Sequence, residues 1–178
     1  MDNKTLWVMC GAPGSGKTWF AKNKLCNGLG WYYVSRDEVR FSLLKDEDDY
    51  FSREDEVFDL FISKIVRGFY EEGVYNIVAD ATHLSWGSRK KLLNAIKFYM
   101  GFRWKEEEIN IIPVVVYSDY ETIVARNKER SGRACVPEDA LRKMYNNMTD
   151  PYRDLYEYTA IMRVDNRWNI DVRNVAAA

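Results

Sequence analysis

The chain has 178 residues, of which 47% are apolar and 30% charged, a length and composition that suit one globular domain with a substantial core. Its formal net charge of -1 excludes the general excess of positive charge that strong nonspecific DNA-binding proteins carry, so any contact with nucleic acid must come from a local patch. No apolar run approaches the roughly 20 residues of a membrane span, and the N-terminus has no signal-peptide pattern, so we expect a cytoplasmic protein without a membrane partner.

The first half of the chain alternates short apolar runs with helical patterns. Residues 6–10 predict a strand that is buried on both faces, followed by a glycine-rich loop and a helix over about residues 16–26. Residues 31–35 predict a second strand. A long helix then follows, with Ser52 as its expected cap and its end near Gly73.

The second half continues the same alternation. Residues 76–80 predict a third strand that ends on an acid, and the helix after it has Ser85 as its expected cap and Gly101 at its end. Residues 109–117 predict a fourth strand, and Asp119 is the expected cap of the next helix. Each of these helices lies between two strands, which is typical of an α/β protein.

The last predicted elements are a helix that begins at Pro137 and a fifth strand at residues 160–164. Strands that alternate with helices pair in parallel through right-handed crossovers. We therefore predict a three-layer α/β sandwich with a parallel five-stranded sheet, a P-loop kinase-like fold. Residues 1–178 are expected to form one domain, with a lid at about residues 126–136 and a C-terminal tail at residues 166–178.

The glycine-rich loop matches the phosphate-binding pattern GxxxxGK[ST] at every fixed position. Its glycines let the backbone fold around a phosphate, and the start of the next helix faces the anion. Lys17 is predicted to reach the β- and γ-phosphates, and Thr18 to offer its hydroxyl to Mg²⁺. An accidental glycine-rich turn is the alternative, and the strand before the loop and the helix after it favour phosphate binding. We therefore expect ATP and Mg²⁺ as cofactors, with these residues around the nucleotide: Gly11, Ala12, Pro13, Gly14, Ser15, Gly16, Lys17 and Thr18.

Asp37 follows the second predicted strand, at the sheet edge where ligands of open parallel sheets bind. A carboxylate there can accept the proton of an acceptor hydroxyl, which makes Asp37 a candidate general base. Arg40 lies three residues later, on the same face of a helical turn, and could hold an anion on the acceptor. The alternative is a helix start in which Asp37 is the cap and Arg40 a surface charge, and spacing alone does not separate the two.

Asp80 ends the third predicted strand, in a segment that resembles the end of a Walker B strand. It is a candidate to bind Mg²⁺ through water or to contact the acceptor, and the alternative is a carboxylate that caps the following turn. Thr82 and His83 lie beside it and are candidates to line the acceptor site. A lone histidine is more often a packing residue, so His83 also has that interpretation.

The predicted lid contains several cations, among which Arg126 and Arg130 lie on one helix face. A closing lid that carries an arginine to the transferring phosphate would assign Arg130 to the γ-phosphate. Arg126 and Arg133 would share that work or hold the adenine end of the nucleotide. The alternative is a solvated helix end, where cations are favoured by the helix dipole.

Together these motifs resemble the 5′-kinase domain of the bacteriophage polynucleotide kinase family, within the zeta-toxin-like group. The resemblance covers about residues 4–150, and the matching segments after the phosphate loop are residues 35–40, 80–84, 126–130 and 136–145. It implies transfer of the γ-phosphate of ATP to the 5′-hydroxyl of DNA or RNA. It also implies that such a polynucleotide is the partner, and it allows a homo-oligomer.

The same resemblance implies a role for each matching residue. Asp37 would be the general base, Arg40 would hold the 3′-phosphate of the acceptor, and Lys17 and Arg130 would clamp the phosphates of ATP. His83 stands where the family often has asparagine.

Two other functions remain open from the residues themselves. A kinase of a nucleoside, a nucleotide or a sugar-like alcohol would need the same phosphate loop and lid. A nucleotide-dependent switch would bind ATP without transferring phosphate. Aromatic rings on which bases could stack would favour the polynucleotide, and the candidate rings, most of which are expected in the core, are Trp31, Tyr32, Tyr33 and Trp86.

Overall fold

The strands form one six-stranded sheet in this computed structural model, which describes residues 3–45, 48–154 and 158–175 apart from the side chain of Arg133. In chain order the strands are β1 (Thr5–Cys10), β2 (Trp31–Ser35), β3 (Asn76–Asp80), β4 (Asn110–Val116), β5 (Ala160–Val164) and β6 (Ile170–Asn174). They lie in the order β2-β3-β1-β4-β5-β6, and the first five are parallel to one another. The parallel arrangement that the alternating pattern predicts is confirmed.

The sixth strand corrects the prediction of five strands and of a tail over residues 166–178. β6 pairs antiparallel with β5, so that Val164 lies opposite Ile170 and Ala160 lies opposite Asn174. All five residues of β6 are exposed, and the strand therefore lacks the apolar run that marks a buried strand. Backbone hydrogen bonds to β5 hold the strand at the sheet edge, and such bonds leave no side-chain pattern in the sequence from which the strand could be predicted. Residues 176–178 lie outside the described part of the chain.

Helices cover both faces of the sheet. They are α1 (Lys17–Phe20), which continues as a π-helical turn over Ala21–Leu25, α2 (Arg36–Leu43), α3 (Glu54–Tyr70), α4 (Trp86–Met100), α5 (Arg103–Glu106), α6 (Tyr120–Lys128) and α7 (Glu138–Asn146). Short 3₁₀ turns lie at Gly132–Ala134 and Pro151–Arg153. No helix in the described residues is long and apolar enough to cross a membrane.

Alternate residues of β1 pack on opposite sides of the sheet, which makes three layers. Leu6 and Val8 belong to a core cluster with the apolar faces of α3 and α4. Met9 belongs to a second cluster, which contains Phe20 of α1. Successive side chains of a strand point to opposite faces, so an apolar run without alternation is what a strand covered on both sides requires. The three-layer prediction is confirmed.

The predicted caps at Ser85 and Asp119 form, whereas the predicted cap at Ser52 does not. The Ser85 and Ser88 side chains form a capping box at α4, Gly101 ends that helix, and Asp119 accepts a hydrogen bond from the Thr122 backbone at α6. These predicted boundaries are confirmed. The predicted cap at Ser52 is wrong, because α3 begins at Glu54 and the Ser52 hydroxyl instead donates to the backbone oxygen of Asp49 at 2.8 Å.

Candidate active site

The phosphate loop lies between β1 and α1, where two glycines permit close contacts that a side chain would block. Gly14 has φ +86°, and a Cβ placed on it would lie 2.9 Å from the backbone oxygen of Ile123 in α6. Gly16 has φ +94°, and a Cβ there would lie 2.8 Å from the ring of Trp168. Both backbone conformations and both contacts therefore require glycine. The loop is held between α6 on one side and the β5–β6 turn on the other.

Thr18 and Asp80 meet at the carboxyl edge of the sheet, as the sequence predicts for a metal site. The Thr18 hydroxyl donates to Asp80 Oδ2 at 2.7 Å, and the Tyr33 hydroxyl donates to the same oxygen at 2.6 Å. Burial, reinforced by the charge of Asp80, raises the pKa of Tyr33, so its phenol stays protonated and remains a donor. Asp80 Oδ1 is buried without a hydrogen-bond partner in the described residues. A buried carboxylate oxygen beside a threonine hydroxyl suits a hard cation such as Mg²⁺.

A pocket of about 850 Å³ opens in front of this edge and connects the phosphate loop to α2. Lys17, Thr18 and Asp80 line one part of it, and Asp37 and Arg40 line another. In the sheet, Asp80 of β3 is in register with Met9 of β1 and with Ser35 of β2. Adjacent parallel strands that end at the same level thus bring together residues that are far apart in sequence.

Asp37 presents one free carboxylate oxygen to this pocket. Its Oδ1 accepts hydrogen bonds from Arg40 Nη1 at 2.8 Å and from the Tyr50 hydroxyl at 2.9 Å, while Oδ2 has no hydrogen bond among the described residues. The side chain is 63% exposed. Ser35, not Asp37, caps α2, because its side chain accepts a hydrogen bond from the Glu38 backbone at 3.3 Å. Asp37 is therefore held in place with an oxygen available for an acceptor proton.

Arg40 is buried and already paired, which contradicts the surface-charge interpretation and leaves anion binding as a prediction. Its residue exposure is 4%, so it is not a surface charge. Glu54 accepts from Arg40 Nε at 3.0 Å and also from Nη2, and it pairs with Arg36 at 2.7 Å. The sequence contains no motif that includes Glu54, and the prediction missed it. An acceptor phosphate could reach the guanidinium of Arg40 only in competition with this carboxylate.

Tyr50 links the acidic and basic groups of this part of the pocket and was also missed by the sequence analysis. Arg40 Nη1 donates to the Tyr50 oxygen at 2.9 Å, and the guanidinium lies over the Tyr50 ring at 4.3 Å from its centroid. Burial and the charge of Asp37 raise the pKa of Tyr50 to about 12. Its hydroxyl is therefore protonated near neutral pH and donates to Asp37.

The arginines of the predicted lid occupy different places. Arg126 Nη1 donates to the backbone oxygens of Gly14 and Ser15, both at 3.3 Å, so this side chain contacts the phosphate loop itself. Arg130 is exposed, lines the pocket and donates to the backbone oxygen of Ala134 at 3.4 Å. The side chain of Arg133 lies outside the described part of the structure.

Thr82 and His83 follow Asp80, and only Thr82 lines the pocket. The backbone oxygen of Thr82 accepts a hydrogen bond from the Gly11 backbone at 2.9 Å. His83 is buried, with Nδ1–H donating to the Met9 oxygen at 2.9 Å and its ring stacked at 6.2 Å from Phe61. The structure therefore gives His83 the packing role that the sequence analysis offered as its second interpretation, and it does not bring His83 into the pocket.

Replacing His83 with asparagine should reduce the loss of stability in acid. Burial lowers the pKa of His83 from 6.5 to about 4. Between these pH values the unfolded chain binds a proton that the folded chain does not, so stability is lost as pH falls below 6.5, by about 3 kcal/mol in total. Asparagine tolerates the φ of +37° at this position, and its amide can donate to Met9.

The measurement is the free energy of urea unfolding at several pH values from 7 to about 4 for both proteins. The wild type and His83→Asn contain the same carboxylates, so the effect of carboxylate titration cancels when their free energies of unfolding are compared. Equal losses of stability in the two proteins would show that His83 is not held neutral in the fold.

The predicted aromatic rings do not line the pocket, and three others do. Trp31 packs on Trp7 with centroids 5.7 Å apart, while Tyr32, Tyr33 and Trp86 are likewise absent from the pocket lining. The rings that line it are Phe41, Tyr50 and Phe51. They lie within fifteen positions of Asp37, so proximity in sequence to the candidate base was the signal available.

Comparisons with known proteins agree with this architecture. The AAA domain family matches residues 6–153 of the chain, which is most of its length. A chain of the Pnkp1/Rnl/Hen1 RNA repair complex is similar with a TM-score of 0.67 at 20% identity, covering 100% of this chain and 50% of that one. A fungal RNA kinase is similar with a TM-score of 0.62 at 11% identity, covering 92% of this chain and 75% of that one.

A sugar kinase from Janibacter sp. HTCC2649 has a TM-score of 0.59 at 15% identity, covering 94% of this chain and 87% of that one. The chain spans about half the length of the repair-complex chain that it matches. These likenesses concern the fold, and together with the family match they confirm the predicted P-loop kinase-like architecture. The similar structures include both RNA and sugar kinases, so they leave the acceptor open between nucleic acid and small molecules.

Proposed function

The chain belongs to the AAA domain family, and we propose that it is a kinase that transfers the γ-phosphate of ATP to the 5′-hydroxyl of a polynucleotide. The observation that carries the proposal is the pocket that Lys17 and Asp37 line together. Lys17 stands at the start of α1 beside the phosphate loop, and Asp37 offers a free oxygen in the same space. A phosphate donor and a hydroxyl acceptor can therefore meet there.

The donor side of the proposed reaction uses the loop and the edge of β3. Backbone N–H groups of residues 11–18 and the ammonium of Lys17 would bind the phosphates of ATP. Thr18 and Asp80 would hold Mg²⁺, and the unpartnered Asp80 Oδ1 fits this role. When bound, the ion would supply positive charge against the phosphate oxygens. Arg130, which lines the same pocket, would approach the γ-phosphate.

The acceptor side uses the free oxygen of Asp37. As the acceptor oxygen forms its bond to the γ-phosphorus, the bond from that phosphorus to the bridging oxygen of ADP breaks. The proton of the acceptor hydroxyl passes to Asp37 Oδ2. Arg40 and Tyr50 hold the other carboxylate oxygen, so the free one keeps its direction.

Two considerations support a polynucleotide as the acceptor. Residues 35–40 resemble the acceptor-binding segment of the phage polynucleotide kinase family, and similar folds occur in a fungal RNA kinase and in an RNA repair complex. The alternative acceptor is a small alcohol, which the likeness to a sugar kinase favours.

A transfer assay with γ-³²P-ATP and Mg²⁺ tests the proposal. We expect label on 5′-hydroxyl DNA or RNA oligonucleotides, and none on the same oligonucleotides that already carry a 5′-phosphate. Nucleosides, 3′-nucleotides and sugars are assayed in parallel at equal concentration. Label on a mononucleotide or a sugar with unlabelled oligonucleotide would replace the proposed acceptor by a small molecule.

A further inference from the structure

Three aromatic side chains form a cluster in the pocket beside Asp37. The Tyr50 ring packs edge-on against Phe51, with centroids 4.8 Å apart, and edge-on against Phe41 at 6.1 Å. We call Phe41, Tyr50 and Phe51 the aromatic platform. Phe41 lies on α2, one position after Arg40, whereas Tyr50 and Phe51 lie in the loop before α3. Two separate segments thus place their rings at one end of the pocket.

The two phenylalanines of the platform are largely exposed inside the pocket. Phe51 is 62% exposed and Phe41 is 47% exposed. Tyr50 differs from them, because its hydroxyl is bonded to Asp37 and the guanidinium of Arg40 lies 4.3 Å from its ring centroid, closer than the 5.8 Å to that of Phe51. The platform therefore offers apolar aromatic surface through Phe41 and Phe51. The hydrogen bond of Tyr50 connects the platform to Asp37, the candidate base.

We propose that the aromatic platform stacks a nucleobase of the acceptor strand while the 5′-hydroxyl of that strand reaches Asp37. This inference rests on the proposed function and names the part of the acceptor that the pocket recognises. One sugar ring separates the base of the terminal nucleotide from its 5′-oxygen. The Tyr50 hydroxyl donates to Asp37 at 2.9 Å, so the platform directly contacts the group that would accept the proton.

The charges in this part of the pocket favour stacking as the source of affinity. Arg40 donates to Glu54, Asp37 and Tyr50, so a phosphate that bound its guanidinium would have to exchange with a carboxylate. A nucleobase needs no such exchange, because every base has a π-face that can stack on a phenyl ring. The platform therefore fits a base-bearing acceptor.

The test compares two 5′-hydroxyl DNA oligonucleotides that differ only in their terminal nucleotide. One carries adenine there, and the other carries a tetrahydrofuran abasic residue. We expect the wild-type protein to favour the adenine strand in kcat/KM by about 5- to 150-fold, the range for loss of one stacked base. Phe51→Ala and Phe41→Ala should each bring this ratio towards one, and Phe51→Trp should preserve it.

Phe98→Ala is the matched control, since Phe98 is 81% exposed on α4 and lies outside the pocket lining. It should keep the wild-type ratio. The removed rings of the platform are exposed, so thermal unfolding of all variants should stay close to that of the wild type. Equal losses on the adenine and abasic strands in Phe51→Ala and Phe41→Ala would mean that the rings serve the fold and not the base, which overturns the inference.

A binding measurement separates this inference from the proposed function. An oligonucleotide with 2-aminopurine as its 5′-terminal base reports stacking by loss of fluorescence. Quenching that Phe51→Ala abolishes, without phosphate transfer from ATP, would support the platform and defeat the proposed kinase activity. Transfer at equal kcat/KM to base-bearing and abasic strands would support the proposed kinase activity and overturn the aromatic platform. Absence of both quenching and transfer with the wild-type protein would defeat both.

Discussion

Replacing Lys17 with alanine is expected to lower phosphate transfer by about 100- to 1,000-fold or more. Lys17 is buried at the start of α1, with 8% of the residue exposed, and it lines the same pocket as Thr18 and Asp80. Alanine has no positive charge with which to stabilise the negative charge that develops on the phosphates during transfer. Transfer is measured as γ-³²P incorporation, and ATP affinity by titration calorimetry. Both should fall.

Lys24→Ala is the control for this loss. Lys24 lies in the π-helical turn after α1, is exposed, and contacts the ring of Trp19 instead of the pocket. It should leave ATP binding and transfer at wild-type levels. If Lys17→Ala bound ATP·Mg²⁺ and turned over like the wild type, the loop would not be the nucleotide site.

Replacing Asp37 with asparagine should separate binding from chemistry. The amide oxygen of asparagine can still accept hydrogen bonds from Arg40 and Tyr50, so the local geometry is retained while the proton acceptor is lost. We expect transfer to fall by about 100- to 10,000-fold. ATP affinity should stay near the wild-type value, because Asp37 lies on α2 and not on the phosphate loop.

Single-turnover transfer, with enzyme in excess over ATP, is the measurement for this variant, since product release then has no influence. Asp59→Asn on α3 is the control, as Asp59 is exposed and lies outside the pocket lining. A near-normal single-turnover rate in Asp37→Asn would remove Asp37 from the role of general base.

The sequence predicts the donor side of the site well because that side is local. Every residue of the phosphate loop lies within eight consecutive positions, and the conformations that Gly14 and Gly16 adopt are what glycine permits. Asp80 was predicted for the same kind of reason, since parallel strands bring their carboxyl ends together. Its hydrogen bond with Thr18 joins positions 62 apart in sequence, and the rule for strand ends was sufficient to anticipate it.

The acceptor side could not be predicted to the same depth because its contacts depend on packing. Glu54 pairs with Arg40 across 14 positions, and Tyr50 bonds to Asp37 across 13, with no motif that connects them. His83 has the sequence position of a lining residue, but its left-handed backbone turns the ring towards Phe61. The direction of such a side chain is set by tertiary contacts, which a local sequence pattern does not predict.

The pairing of both arginines of α2 with Glu54 has a consequence for how an acceptor strand arrives. The pocket lining contains four basic and four acidic side chains, which are Lys17, Arg36, Arg40 and Arg130, and Asp37, Asp49, Glu54 and Asp80. Opposite charges in such proximity cancel at a distance, and electrostatic steering needs a field that extends beyond the surface. The charges of the pocket lining should therefore contribute little to steering a polyanion into the pocket, whatever the ionic strength.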